Sequence, residues 1–296
     1  KMLSSPTTAR KGNLISFIGM SFAVTTTLLI VDYDLDSIVF ISSGIIIGGI
    51  IGLIFAKKVQ MTSMPQMVAI FNGLGGLASS LIAFSEIIKS DTSISLNIIS
   101  ISIFISILIG SVTFSGSITG FLKLQSLITG KPILLPLRNY LNFILLVSII
   151  GLMVASFFYN EQTLIFYILI GSCLLLGILI VLPIGGADMP VVIALLNSYS
   201  GIVAAFTGFI FSNIALIISG SLIGASGLIL TRIMTKAMNR SLANVILGGF
   251  GATKENSVDE ASDKSYKSGS SDDVASLLEY SETVSYTHLT LPTIGC

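Results

Sequence analysis

Residues 98–121 read IISISIFISILIGSVTFSGSITGF, twenty-four residues without one charged side chain. At 1.5 Å per residue such a helix reaches about 36 Å, longer than the ~30 Å hydrocarbon core of a bilayer. The run therefore reads as a membrane span. It also carries a second pattern: Ser102, Ser106, Gly110, Thr113, Ser117 and Gly120 recur at spacings of four and three, which puts them on one helical face. Small residues there let a neighbouring helix approach closely, and hydroxyls there can line a polar path. Both readings stay open at this stage.

Similar runs lie on either side of it. Apolar stretches at about 14–31, 38–56, 64–84, 98–121, 140–158, 164–182, 188–211 and 213–231 give eight spans separated by short polar loops. The 296-residue chain is 53% hydrophobic and 10% charged, with a mean hydropathy of +0.95, which excludes a soluble enzyme as the whole account. The fold class is all-α, a polytopic transmembrane bundle of about eight helices followed by a disordered linker. With an even count, both ends share a side. Loops on that side carry Lys1, Arg10, Lys11, Lys57, Lys58, Lys123, Lys131, Arg138, Arg232, Lys236 and Arg240. The opposite loops carry Lys89 with Asp32, Asp34, Asp36, Glu86, Asp91 and Glu161. By the positive-inside rule both ends are cytoplasmic. No basic patch points to nucleic acid. Cys173 and Cys296 are too few for a thiolate metal site or a disulfide framework.

Two further glycine stripes read as helix-packing faces: Gly44, Gly48 and Gly52 in the second span, and Gly220, Gly224, Gly227 and Thr231 in the eighth. The third and seventh spans open alike. Met64, Pro65, Ala69, Asn72 and Gly76 match Met189, Pro190, Ala194, Asn197 and Gly201 at constant offset, as a parallel internal repeat would. Pro65 and Pro190 suit a first helical turn, with Ser63 and Asp188 at cap positions. Asn72 and Asn197 then lie ~10 Å below the cytoplasmic end. A buried amide needs partners for its donors and its acceptor, so two at equal depth point to a polar core or water wire. Asp188, in Gly185-Gly186-Ala187-Asp188-Met189-Pro190, reads either as a helix cap or as a functional acid at the mouth of that core, with Arg240 as a partner cation.

After Gly251 the composition turns to Ser, Asp, Glu and Lys, which reads as a disordered linker over 252–283, with a short helical pattern starting at Val274. From about residue 284 the string Ser285-Tyr286-Thr287-His288-Leu289-Thr290-Leu291-Pro292-Thr293 resembles a translated sequencing adaptor, so 284–296 is read as an artefact, a genuine terminal peptide being the alternative. The domain plan is thus 1–251 in the membrane, 252–283 linker, 284–296 artefact.

The runs Gly185 to Val192, Leu196-Asn197-Ser198-Tyr199-Ser200-Gly201, Lys236-Ala237-Met238-Asn239-Arg240-Ser241 and Gly248-Gly249-Phe250-Gly251 resemble the beta subunit of proton-translocating NAD(P) transhydrogenase. Leu3-Ser4-Ser5-Pro6, Ala56-Lys57-Lys58-Val59, Met64-Pro65-Gln66 and Val112 to Ser117 extend the likeness over residues 1 to about 283. The resemblance implies a membrane domain coupling proton translocation to hydride transfer from NADH to NADP+. It implies nine helices in the complete subunit, and NADP(H) on a domain beyond the linker that this chain does not reach. NAD(H) is then on a partner alpha subunit, and this fragment alone binds no cofactor and is not catalytically active. It places Asn72, Ser117 and Asn197 on the proton path, and Asp188, Lys236 and Arg240 at the interface with the nucleotide domain. No residue is assigned to catalysis or to a metal. Implied too are a dimer of alpha-beta units and a bacterial inner membrane, with the mitochondrial inner membrane as alternative. Many members carry His where this chain has Asn72, and Asn takes up no proton near neutral pH, so a relay here needs water or a partner's protonatable group. A secondary transporter of a small solute is the competing reading.

Overall fold

A computed structural model describes residues 6–30, 34–89, 97–158, 162–239 and 241–246, together with Asp272 and Glu279. The chain divides into two units, Lys1–Gly251 and Ala252–Cys296. The expected Val274 helix, the linker reading and the 284–296 reading fall outside the described residues, apart from Asp272 and Glu279. All described elements are helices: α1 (Pro6–Ile30), α2 (Leu35–Lys58), α3 (Met64–Lys89), α4 (Ile98–Leu124), α5 (Arg138–Ala155), α6 (Gln162–Val181), α7 (Met189–Ile210), α8 (Ile214–Ala237) and the five-residue α9 (Leu242–Ile246). Eight of them are long and apolar enough to cross a membrane, and the protein is a multi-pass membrane protein. The helices outrun the apolar windows. Helix α1 starts at Pro6, not near residue 14, and α8 continues to Ala237, because helical hydrogen bonding goes on after the apolar stretch has ended.

Local chemistry sets several boundaries. Asp34 accepts from the Ser37 amide at 3.3 Å, Asn97 from the Ser100 amide at 2.8 Å, and Asn213 from the Leu216 amide at 3.1 Å, so α2, α4 and α8 each open on a side-chain cap. The repeat seen in sequence has a local counterpart. Both α3 and α7 are entered through a single 3-10 turn, Met61–Ser63 and Gly186–Asp188, directly before Met-Pro.

Helices α4 and α7 form the inner pair, and α3, α6 and α8 pack around them. Pairings such as Ser80 with Ser111 and Asn72 with Ser117 run α3 antiparallel to α4. Helix α6 runs parallel to α4, since Phe104 stacks on Phe166 at one end and Lys123 meets Leu182 and Ile184 at the other. One end of the bundle thus gathers the starts of α3 and α7, the ends of α4 and α6, and most of the lysines. An apolar cluster of Phe104, Ile107, Ile149, Phe166, Leu169 and Cys173 fills the far half between α4, α5 and α6. By contrast α2 has no buried residue. It touches α3 through Phe55 and Phe71, whose rings lie 6.5 Å apart edge to face.

Candidate functional site

Three helices meet at Asn72. Helix α4 reaches α3 because glycine faces glycine: a methyl on Gly76 would lie 2.8 Å from the Gly110 carbonyl oxygen, and one on Gly110 would lie 2.7 Å from that of Gly76. One turn away, a methyl on Gly73 would sit 3.0 Å from Cβ of Ser117. This close crossing brings short polar side chains together where longer ones would not fit. The Asn72 amide Nδ2 donates to Ser117 Oγ at 3.0 Å, and the Ser200 hydroxyl donates to Asn72 Oδ1. Asn72 is 8% exposed and Ser117 is fully buried. An amide and two hydroxyls from α3, α4 and α7 so form one chain, buried at Asn72 and Ser117 and half-buried at Ser200, in which every member can both donate and accept.

The striped face of α4 continues this polarity away from the lysine-rich end. Ser80 and Ser111 share a hydrogen bond of 2.9 Å. Thr113 and Ser106 are fully buried, and neither hydroxyl has a hydrogen-bond partner among the described residues. Buried hydroxyls of this kind are where ordered water is retained. Ser102 instead bonds back to the Ile98 carbonyl at 2.7 Å. The α4 stripe therefore serves as a packing face at Gly110 and carries polar groups at Ser106, Thr113 and Ser117.

The other residues singled out from sequence fall as follows. Asn197 is half-buried on α7, three residues before Ser200 and on the same face, but no hydrogen bond joins it to Asn72. The α7 residue that reaches Asn72 is Ser200, which sequence reasoning passed over. Asp188 is 9% exposed at the head of α7, yet its side chain makes no cap hydrogen bond to that helix. The capping expectation fails for a backbone reason. Asp188 closes a 3-10 turn at φ −91° and ψ −5°, whereas a capping residue is extended, and Pro190 offers no amide proton to receive. Lys236 is exposed near the end of α8. Arg240, and with it the expected pairing to Asp188, lies outside the described residues. Among the described residues no cluster of His, Cys, Asp or Glu has the makings of a metal site.

No titratable side chain among the described residues hydrogen-bonds to the Asn72 cluster. Chemically, the arrangement can orient water and pass hydrogen bonds along, with no group of its own that ionises near neutral pH.

Comparison with known proteins matches residues 1–287 to the family of the NAD(P) transhydrogenase beta subunit. The NAD(P) transhydrogenase subunit beta of Rhodospirillum rubrum is 42% identical over 293 residues, which cover 95% of this chain and 62% of that protein. The subunit of the same name from a designated strain of Rhodospirillum rubrum gives the same figures. The chain thus spans about 62% of the length of these relatives. With a family match along nearly its full length, the chain belongs to the NAD(P) transhydrogenase beta subunit family.

Proposed function

We propose that this chain is the membrane domain through which a proton-translocating NAD(P) transhydrogenase couples proton movement to hydride transfer from NADH to NADP+. The observation that carries the reading is the Ser117–Asn72–Ser200 chain, buried at Ser117 and Asn72, which joins three helices inside the membrane unit. Polar groups at this depth are costly unless they serve a path or a lock. A water wire threaded past Asn72 and on to Thr113 would move protons without a titrating side chain, as the substitution of Asn for the His of many members requires. Asn197 lines the same face of α7 closer to the lysine-rich end. The charge asymmetry of the loops supports placing that end, with both termini of the bundle, on the cytoplasmic side of a bacterial inner membrane.

At that end Asp188, with Lys236 and Arg240, would sense a nucleotide-carrying domain. NADP(H) would be held there, and NAD(H) on a partner alpha subunit in a dimer of alpha-beta units. In this reading the part of the helical membrane unit is the passage of the proton.

The test is Asn72→Leu in the complete enzyme reconstituted into proteoliposomes. Coupled turnover should fall by about tenfold or more, while cyclic hydride exchange between bound nucleotides is retained, because that chemistry lies outside the membrane. Equal loss of both activities would contradict the proposal. The family assignment leaves no separate observation in favour of a solute transporter.

A further inference from the structure

The stripe on α4 does not stop at Gly120. Three residues further on the same face lies Lys123, which is 2% exposed, so a residue that reads in sequence as a loop charge is in fact buried. An ammonium has three N–H donors, and three backbone carbonyls receive them: Leu182, Ile184 at 2.7 Å and Lys131 at 3.4 Å. Leu182 comes directly after the last residue of α6, and Ile184 two residues later. Carbonyls at a helix end lack intrahelical partners and carry the negative end of the helix dipole. No carboxylate among the described residues lies within ion-pairing distance of Lys123. Among the described residues its charge is held by backbone carbonyls.

The same carbonyls belong to a stitched junction of two loops. Gly186 N–H donates to the Gly130 carbonyl at 2.8 Å, and Ile133 N–H donates to the Leu182 carbonyl at 3.2 Å. Lys123 sits between both loops. Behind it on α4, six residues back, is Ser117 of the buried polar chain. Ahead of it, Ile184 leads through the Gly186–Asp188 turn into Asp188 and the head of α7. An apolar side chain of similar length would fill this space but leave the three carbonyls without this donor, so the ammonium itself holds the junction.

We propose that Lys123 is a positioning residue: its buried charge fixes the 182–188 loop against α4 and so sets the place of Asp188 relative to the polar chain at Ser117. Its part in coupling rests on the proposed function above, but its hold on the loop does not, and the experiment separates the two. In the complete enzyme, Ala187, which is exposed on this loop, is replaced by Ala187→Cys. Its rate of reaction with a membrane-impermeant maleimide is then measured, with the protein lacking that substitution as the blank for other cysteines. Lys123→Met should speed labelling by about fivefold or more, because the loop opens more often, and Lys123→Arg should keep most of the original rate. Coupled turnover in Lys123→Met should fall by about tenfold with cyclic hydride exchange held within about twofold. Should Lys123→Met not accumulate, Lys123→Gln gives the neutral comparison. Unchanged labelling in the neutral variant would overturn the proposal. Faster labelling with undiminished coupling would keep the loop placement and overturn its role in coupling. Parallel loss of both activities in the neutral and Arg variants alike would reduce Lys123 to a folding residue.

Discussion

Two helices of this bundle carry glycines three or four residues apart, and their surroundings are opposite. On α8, Gly220, Gly224 and Gly227 press against α7 so closely that a methyl on Gly220 would collide with the backbone of Ala205, and one on Gly227 would lie 2.8 Å from Cα of Ser198. Ser198 seals that crossing by donating to the Gly224 carbonyl at 2.6 Å. On α2, Gly44, Gly48 and Gly52 have nothing among the described residues within 4 Å of where a methyl would go, so the packing expected of this stripe is not met among them. A glycine stripe therefore states how near a neighbour can come, and says nothing of whether the chain supplies one. What distinguishes α8 is its connection: a three-residue turn, 211–213, folds it straight back on α7, and α7 contributes Ser198, Gly201 and Ala205 at matching heights.

The same substitution in both stripes should break this comparison open. Gly220→Ala has no room, because the backbones of Gly201, Ala204 and Ala205 already occupy the space, so overpacking should cost about 3 kcal/mol. The helical signal of the purified protein should then melt several degrees lower by circular dichroism. Gly48→Ala should act in the reverse direction, leaving the melt unchanged or raised by up to about 1 kcal/mol, since alanine is the better helix former in open surroundings. An equal loss in both variants would mean that α2 is packed after all. The smallest effect concerns the cap of α2. Hydrogen bonds from the Ser37 side chain and then its amide hold the Asp34 carboxyl below its ordinary value of 3.8. Its folded value is depressed, so the cap's contribution is complete at neutral pH and is lost as pH falls below 3.8 and through the lower folded value. The protection factor of the Ser37 amide, its exchange relative to an unstructured amide at the same pH, should therefore fall only in that acid range, and should be low at any pH in Asp34→Ala.

The eight spans could be read from hydropathy because lipid demands about 20 apolar residues per crossing, and nothing else in the chain imitates that signal. The Asn72 to Ser117 contact was half visible. Both lie on small-residue faces at a shared depth, but the partner from α7 depends on which side of Leu196–Gly201 turns inward. Periodicity alone allows Asn197 and Ser200 alike, three residues apart on one face. The crossing geometry selects Ser200. Asp188 stands at the cap position its residue type suggested, but as the last residue of a 3-10 turn it has a backbone from which the carboxylate does not cap α7. Lys123 misled because charge suggested a loop. The extension of the α4 stripe by one more step of three was the available sign, and it was outweighed by hydropathy.

The central claim is that Asn72 and Ser200 act as one hydrogen-bonded element of the membrane path. A double-mutant cycle tests it directly, with Asn72→Ala, Ser200→Ala and both together compared for proton pumping in proteoliposomes of the complete enzyme. Each single variant should lower pumping, and the double variant should pump no worse than the poorer single one, with cyclic hydride exchange preserved throughout. Losses that multiply in the double variant, or cyclic exchange falling in step with pumping, would contradict the account.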